Sequence, residues 1–118
     1  MTFVARRILS IGLAFAALLA LLPATETQAQ RDRYDRRMVI INETGRTIYS
    51  FHATNKSVTV WGADLLGQDV IEPGRTYVLN FNDGTGYCMF DFKAVLDNGR
   101  AIERYRVDVC TAASWRVQ

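Results

Sequence analysis

The sequence predicts an all-β fold: a small antiparallel β-sandwich of about seven short strands, with one helical turn and one disulfide. From residue 38 onward, apolar residues recur with a period of two rather than 3.6, which is typical of strands. Turn-forming residues interrupt this alternation roughly every eight to twelve residues, the spacing of strands in a sandwich. The chain also contains two cysteines, which a single disulfide accounts for.

Length and composition limit the protein further. A chain of 118 residues favours one domain. Its hydrophobic content of 49% against 22% charged residues is enough for a core, which excludes a disordered tail. Because 14 Lys and Arg face 12 Asp and Glu, the net charge is too small to indicate a nucleic-acid partner.

Residues 1–29 are predicted to be a signal peptide. Two arginines at 6–7 precede an apolar run at 8–22, Pro23 ends that run, and small residues at 27–29 favour peptidase cleavage. The run is shorter than the ~20 residues that a membrane-spanning helix needs. The mature chain is therefore predicted to be periplasmic or secreted, with no membrane span after cleavage.

Residues 30–37 are predicted to be a charged flexible linker, since they contain four Arg and two Asp without an apolar period. The sandwich domain is then predicted over residues 38–118.

The first predicted strand covers residues 38–41 and is continuous enough in apolar residues to be buried on both sides. Asn and Gly in residues 42–46 indicate a turn. Residues 47–53 form the second predicted strand, with Tyr49, Phe51 and Ala53 on one face and Ile48, Ser50 and His52 on the other. A hairpin is the natural connection between these two strands.

The middle of the chain predicts shorter elements. Residues 57–61 include three consecutive β-branched residues and indicate a brief strand. Residues 62–67 place two leucines between glycines, which predicts one inward-packing helical turn that ends at Gly67. Residues 69–71 form another short strand, and the Pro-Gly pair in residues 72–75 predicts a type II turn.

The last predicted hairpin has the clearest pattern. It follows a strand over residues 76–81 and a loop over residues 82–86. Residues 88–96 then alternate apolar and mixed side chains, Asp-Asn-Gly at 97–99 is a hairpin turn signal, and residues 101–109 return. In the returning strand Tyr105, Val107 and Val109 are predicted to face inward.

Cys88 and Cys110 are predicted to form a structural disulfide. Cys88 opens the penultimate strand, Cys110 follows the last one, and their midpoint falls at residue 99 inside the turn, so they should lie nearly opposite each other. The closed loop predicts about 3 kcal/mol of stabilisation. The sequence contains no Cys-x-x-Cys pattern, which would have indicated a redox-active pair.

No catalytic residue or cofactor is predicted. His52 is the only histidine, and no nucleophile elbow accompanies it. One histidine and two bridged cysteines cannot complete a tetrahedral zinc site. A small hydrolase that uses His52 is the third alternative for function.

A divalent-cation module that binds Ca²⁺ is the second alternative. Four aspartates come from loops or strand ends and offer the hard oxygen ligands that Ca²⁺ prefers: Asp64, Asp69, Asp83 and Asp91. The same residues also suit structural roles, as turn formers, as a cap or as cross-strand partners. A thermal melt with Ca²⁺ against EDTA would separate the two interpretations.

The combined motifs resemble a family of small, uncharacterised bacterial periplasmic proteins. The motifs are Asn42-x-Thr44-Gly45-x-x-Ile48, Trp61-Gly62-x-Asp64-x-Leu66-Gly67, Pro73-Gly74, Asp83-Gly84-x-Gly86-x-Cys88-x-x-Asp91 and Cys110. The resemblance covers nearly the whole mature chain and implies a signal peptide followed by a compact β-domain. It implies no activity, substrate or catalytic residue.

The sequence therefore predicts an exported, non-catalytic binding or envelope-associated module, whose partner is an unknown protein or envelope component. Sandwiches expose loops at their ends, so the three motif-bearing loops, at residues 42–45, 61–67 and 83–87, are the predicted contact surface. The candidate contact residues are Asn42, Thr44, Gly45, Trp61, Asp64, Asp83, Gly84 and Gly86.

Overall fold

Six β-strands run through residues 32–118, the part of the chain that the computed structural model describes. In chain order they are β1 (Arg37–Asn42), β2 (Ile48–Asn55), β3 (Thr76–Asn80), β4 (Met89–Leu96), β5 (Ala101–Asp108) and β6 (Ser114–Val117). The predicted all-β class is confirmed, with six strands in the described residues rather than about seven. The predicted signal peptide lies outside the described residues.

The strands form two three-stranded sheets, ordered β3-β1-β6 and β2-β4-β5, that pack together as a sandwich. β4 pairs antiparallel with both of its neighbours. β1 pairs antiparallel with β3 but parallel with β6, which corrects the expectation of purely antiparallel sheets. No helix in residues 32–118 has the length and apolar character that crossing a membrane requires.

An aromatic cluster joins the two sheets. Phe51 and Phe92 come from one sheet, Trp115 comes from the other, and Phe81 follows β3. The ring centroids of Phe81 and Phe92 are 4.6 Å apart, and those of Phe51 and Trp115 are 5.9 Å apart. Each such pair adds about 0.5–1.5 kcal/mol beyond the buried area, so this cluster helps to hold the two layers together.

The predicted β4–β5 hairpin is confirmed. Burial alternates along the whole of β4, and Gly99 in the connecting turn adopts a φ of +85°, which a side chain would disfavour. The disulfide is confirmed as well. Cys88 and Cys110 are bonded, with their Cα atoms 5.3 Å apart at the open end of the hairpin.

The predicted hairpin between the first two strands is wrong, because β1 and β2 lie in different sheets. Asn42, at the end of β1, is fully buried. Its Nδ2 donates to the carbonyl oxygens of Arg46 at 2.7 Å and Ile71 at 2.8 Å, while its Oδ1 accepts from the amide of Thr44 at 3.0 Å. These bonds hold a turn that carries the chain across the sandwich to the opposite sheet.

The elements predicted between β2 and β3 are replaced by a long loop. Residues 57–61 form no strand, and residues 69–71 contribute only an isolated bridge between Ile71 and Ile48. The predicted helical turn at 62–67 is a hydrogen-bonded turn in which Asp69 donates to the carbonyl of Leu66. Only Leu66 packs inward there, whereas its neighbour Leu65 is 42% exposed.

Two register shifts change which side chains face the core. One lies between Ile48 and Ser50 in β2, so Ile48 and Phe51 are both buried although they were predicted on opposite faces. The other lies in β5, where Arg106 has a φ of +57°. A bulge adds one residue and reverses the alternation beyond it. Tyr105 is consequently 58% exposed, contrary to the prediction.

The β-domain includes residues that precede its predicted boundary at residue 38. Arg37 already opens β1, and Arg36 is only 3% exposed. The guanidinium of Arg36 donates from Nε to the carbonyl of Tyr87 at 2.9 Å and from Nη2 to that of Gly86 at 2.9 Å. An arginine predicted to lie in the linker therefore holds a loop of the folded domain.

Candidate functional site

The described residues form a small pocket of about 130 Å³ between the loop that follows β2 and the residues that follow β3. We call it the Phe81 pocket. Its apolar lining consists of Ala53, Leu65, Phe81 and Phe90, and its polar lining consists of Asn80, Asn82 and Asp83. The two phenylalanines are buried and the three polar residues are exposed, so the pocket has an aromatic floor and a polar rim.

The wall that carries Leu65 is held against the outer edge of β2. The amide of Leu65 donates to the carbonyl of Phe51 at 2.7 Å. The Asp64 Oδ1 accepts from the amides of Phe51 and Leu66, both at 2.9 Å. Asp64, predicted as a contact residue and as a candidate cation ligand, therefore attaches this loop to the sheet and sets the position of Leu65.

The charged group on the rim is the carboxylate of Asp83. Its Oδ1 accepts from the amide of Thr85 at 3.1 Å, and its Oδ2 accepts from Asn55 Nδ2 at 2.9 Å. Partial burial acts to raise the pKa of Asp83, but the hydrogen bonds from Thr85 and Asn55 outweigh it and leave that pKa below its ordinary value. The rim therefore carries a negative charge at neutral pH.

The loop beyond Asp83 is fixed from two sides. Gly84 and Gly86 adopt φ values of +84° and +83°, a left-handed conformation that favours glycine. Arg36 binds the carbonyls of this loop, and the disulfide fixes Cys88 directly after it. The structure thus gives Gly84 and Gly86, two of the three glycines among the candidate contact residues, a conformational role.

The three predicted contact loops do not form one surface. One group of candidate residues follows β1: Asn42, Thr44 and Gly45. Another follows β3: Asp83, Gly84 and Gly86. Because the register pairs Arg37 with Asn80 and Ile41 with Thr76, the two groups lie at opposite ends of these strands, about 15 Å apart. The loop over residues 61–67 does meet Asp83 at the Phe81 pocket, through Leu65.

Trp61 does not line the Phe81 pocket. Its ring lies 5.1 Å from the ammonium of Lys93, which alternates with the buried Phe92 and Ala94 and therefore points to the outer face of its sheet. Trp61 is half-buried there, in a cation–π contact.

The four candidate cation ligands are dispersed among separate partners. Besides the contacts of Asp64 and Asp83, Asp69 accepts from the hydroxyl of Tyr77 at 2.8 Å, and Asp91 accepts from the amide of Arg106 at 2.9 Å. Within residues 32–118 the one group with metal-like spacing is Cys88, Asp108 and Cys110. Both of its sulfur atoms are committed to the disulfide, so neither is available as a thiolate ligand.

A wider groove of about 550 Å³ lies on the opposite side of the sandwich, between β5 and β6. It is lined by Ile102, Glu103, Arg104, Ser114, Trp115, Arg116 and Gln118. Glu103 and Arg104 bring both signs of charge to it, and Arg116 is already paired with Glu43.

His52 makes a contact that the sequence did not predict. Its Nδ1 lies 2.8 Å from the carbonyl oxygen of Gly62, and because that oxygen can only accept, Nδ1 is the donor. In the neutral ring Nε2 therefore accepts from the Ser50 hydroxyl at 3.0 Å. Hydrolases use such a contact to activate a nucleophile. However, Ser50 is only 9% exposed, and neither residue lines the Phe81 pocket or the groove. The contact attaches the loop at Gly62 to β2.

Sequence reasoning found one side of the pocket and missed its floor. Asp83 was a candidate contact residue, whereas Phe81 and Phe90 were assigned to core strands and Leu65 to an inward-packing turn. The exposed Leu65 gave no signal, since its burial depends on which of two adjacent leucines faces inward. No family model, curated protein or solved structure matches this chain, so the resemblance noted from its motifs stays a prediction.

Proposed function

We propose that this chain is an exported, non-catalytic binding module of the bacterial envelope and that its partner binds at the Phe81 pocket. One observation carries the proposal. Two of the predicted contact loops, distant in sequence, meet at a pocket with an aromatic floor and a charged rim. Apolar pockets with a few convergent polar groups are the usual form of a binding site.

Two independent features support export to the periplasm. The first 29 residues have the pattern of a cleavable signal peptide. The protein also contains a disulfide, and disulfides persist in oxidising compartments outside the cytoplasm.

The chemistry of the pocket favours recognition over catalysis. Asp83 is its only acidic or basic lining residue, and its two carboxylate oxygens already accept hydrogen bonds from Thr85 and Asn55. General acid–base chemistry needs a proton donor or acceptor within reach of the reacting group, usually together with a nucleophile. The lining offers neither a histidine nor a cysteine.

The pocket also defines the group it would bind. A volume of about 130 Å³ suits one side-chain-sized group rather than a whole metabolite. Its phenylalanine floor favours an aliphatic or aromatic stem, and the Asp83 carboxylate favours a cationic head beside that stem.

The test is a titration of the isotope-labelled protein with n-butylammonium chloride, followed by amide chemical shifts. We expect shifts centred on Leu65, Phe81 and Asp83, and weaker binding of uncharged 1-pentanol. Asp83→Asn should weaken n-butylammonium binding about fivefold, the upper range for an exposed charge pair. Ala53→Leu, which fills the pocket, should abolish it.

The matched control is Glu103→Gln, which removes a carboxylate from the groove on the other side of the sandwich. This variant should bind n-butylammonium as well as the wild type does. Shifts absent from the pocket, or unaffected by Ala53→Leu, would refute the proposed site.

A further inference from the structure

The outer edge of β3 has no strand paired with it among residues 32–118. The orientation of its backbone follows from two bonds, in which Asn42 donates to the carbonyl of Arg75 and Phe81 donates to that of Arg36. In an antiparallel pair, hydrogen-bonded and non-hydrogen-bonded positions alternate. The N–H and C=O groups of Thr76, Val78 and Asn80 therefore point away from β1.

This edge lacks the usual protection against pairing. Proteins protect an exposed edge with charged residues, prolines or bulges. The five residues of β3, Thr-Tyr-Val-Leu-Asn, include no charge and no proline, and the register with β1 is regular throughout. Val78, at the centre of the strand, is 58% exposed.

The edge strand β5 shows the contrast. It has a bulge at Arg106, whose amide is bound by the Asp91 carboxylate. It also carries four charged residues, Glu103, Arg104, Arg106 and Asp108. The same chain therefore protects one of its edges heavily and leaves β3 unprotected.

The Phe81 pocket continues directly from the free edge. β3 ends at Asn80, which lines the pocket together with the three residues that follow it. Side chains of a strand alternate between the two faces of its sheet. A segment added beside β3 would place alternate side chains next to Val78 on the outer face and the others on the inner side, where the pocket opens.

From this juxtaposition we infer that the partner is an extended polypeptide segment that adds to β3 as a fourth strand and inserts a Lys or Arg side chain into the Phe81 pocket. The inference rests on the proposed function. The backbone groups of β3 supply the pairing, as in other strand-addition complexes. The pocket selects the inserted side chain, whose aliphatic stem packs on Phe81 and Phe90 while its charged head lies at Asp83.

The probe for this inference is the peptide Thr-Val-Lys-Val-Thr, acetylated and amidated at its ends, titrated into the full chain. Its valines suit a position beside Val78, and its lysine suits the pocket. We expect it to bind at least about tenfold more tightly than n-butylammonium, since several backbone hydrogen bonds are added. Replacing its lysine with glutamate should abolish binding.

Two methylated peptides test the backbone pairing without altering the protein. Residues directly opposite each other in an antiparallel pair share a face, so the valine amides would bond to β3 in an antiparallel complex and the lysine amide in a parallel one. One peptide is therefore methylated at the backbone nitrogens of its valines and the other at the backbone nitrogen of its lysine. Only one of the two peptides should bind more weakly than the unmethylated peptide. Equal binding of both would overturn the inference.

The variant Val78→Pro removes one outward N–H without removing a bond to β1, and proline is tolerated on edge strands. It should weaken the peptide about tenfold and leave n-butylammonium binding unchanged. Glu103→Pro is the matched control, because the antiparallel register points the Glu103 amide away from β4. It should leave peptide binding intact.

The two proposals fail in different ways. Suppose that n-butylammonium binds the pocket, but the peptide binds no more tightly than it does and methylation of the peptide leaves its affinity unchanged. Strand addition is then refuted, and the proposal of a binding site at the pocket stands. If neither probe binds, both are refuted. If the protein dimerises without any peptide, and Val78→Pro abolishes that dimer, then a second copy of the chain occupies the edge. This outcome would overturn the peptide as its occupant.

Discussion

The two flanks of the sandwich differ in how they close. On the β2–β3 flank, where the Phe81 pocket lies, a loop covers the edge of β2 and leaves β3 uncharged and open. On the β5–β6 flank, where the groove lies, the edge of β5 carries charges and a bulge instead. Both are ways to manage an edge strand. The difference is that β3 has neither device along its five residues.

The exposed apolar side chains follow the same division. Eight large apolar side chains are exposed among residues 32–118, and five of them lie between residues 58 and 78, in the link from β2 to β3 or in β3 itself. They are Val58, Val60, Leu65, Val70 and Val78. Tyr105 is the only one on β5, and its hydroxyl is bonded to Glu103. Scattered exposed apolar residues are ordinary, so their concentration in one segment is what carries weight.

The largest expected effect compares the packing of the two flanks. Phe81→Ala should lower the free energy of unfolding by about 3–5 kcal/mol, because it removes a ring from the aromatic cluster and from the pocket floor. Ile102→Ala, at the half-buried wall of the groove, should cost less than about 2 kcal/mol. Urea denaturation measures the free energy of unfolding of both variants. Equal losses would show that the two flanks do not differ in packing.

The next effect concerns the disulfide at the open end of the β4–β5 hairpin. Reduction of the disulfide should cost about 3 kcal/mol, given the 22-residue separation of its cysteines. Hydrogen exchange should accelerate most for the amides at Val107 and Val109. The double variant Cys88→Ser, Cys110→Ser is the control, since reductant should not change it further. Uniform acceleration across β1 and β3 would show that the flanks do not open separately.

The smallest effect sharpens the electrostatic difference at the pocket. The pKa of Asp83 is lower in the folded protein than its ordinary value, so its stabilising contribution is present at neutral pH and is lost as the pH falls through the folded pKa. Asp83→Asn should therefore lower the free energy of unfolding at pH 7. The difference in that free energy between the variant and the wild type should become smaller at strongly acidic pH. Solvent screening keeps this difference below about 1 kcal/mol. Urea denaturation at several pH values measures this difference, and a difference that stays constant with pH would contradict the prediction.

The sequence predicted what depends on neighbouring residues. The β4–β5 hairpin follows from an unbroken alternation and a strong turn signal, and the disulfide follows from the symmetry of Cys88 and Cys110 about that turn. Both features involve short stretches of chain whose geometry is set locally.

The rest depends on distant contacts or on single-residue irregularities. The course of the chain after β1 is determined by Asn42, whose amide bonds to a carbonyl 29 residues away. One bulge is enough to turn Tyr105 outward, and periodicity alone does not locate it. The pocket combines residues from Ala53 to Phe90, so it exists only once both sheets are assembled.

The position of β1 between β3 and β6 also has a kinetic consequence. Neither neighbour of β1 is adjacent to it in the chain, whereas β4 and β5 meet through a tight turn. Long loops must close before such remote pairings are rewarded, and all-β sandwiches accordingly fold over roughly milliseconds to seconds. We expect the β4–β5 hairpin to form early in refolding and the sheet around β1 to set the overall rate.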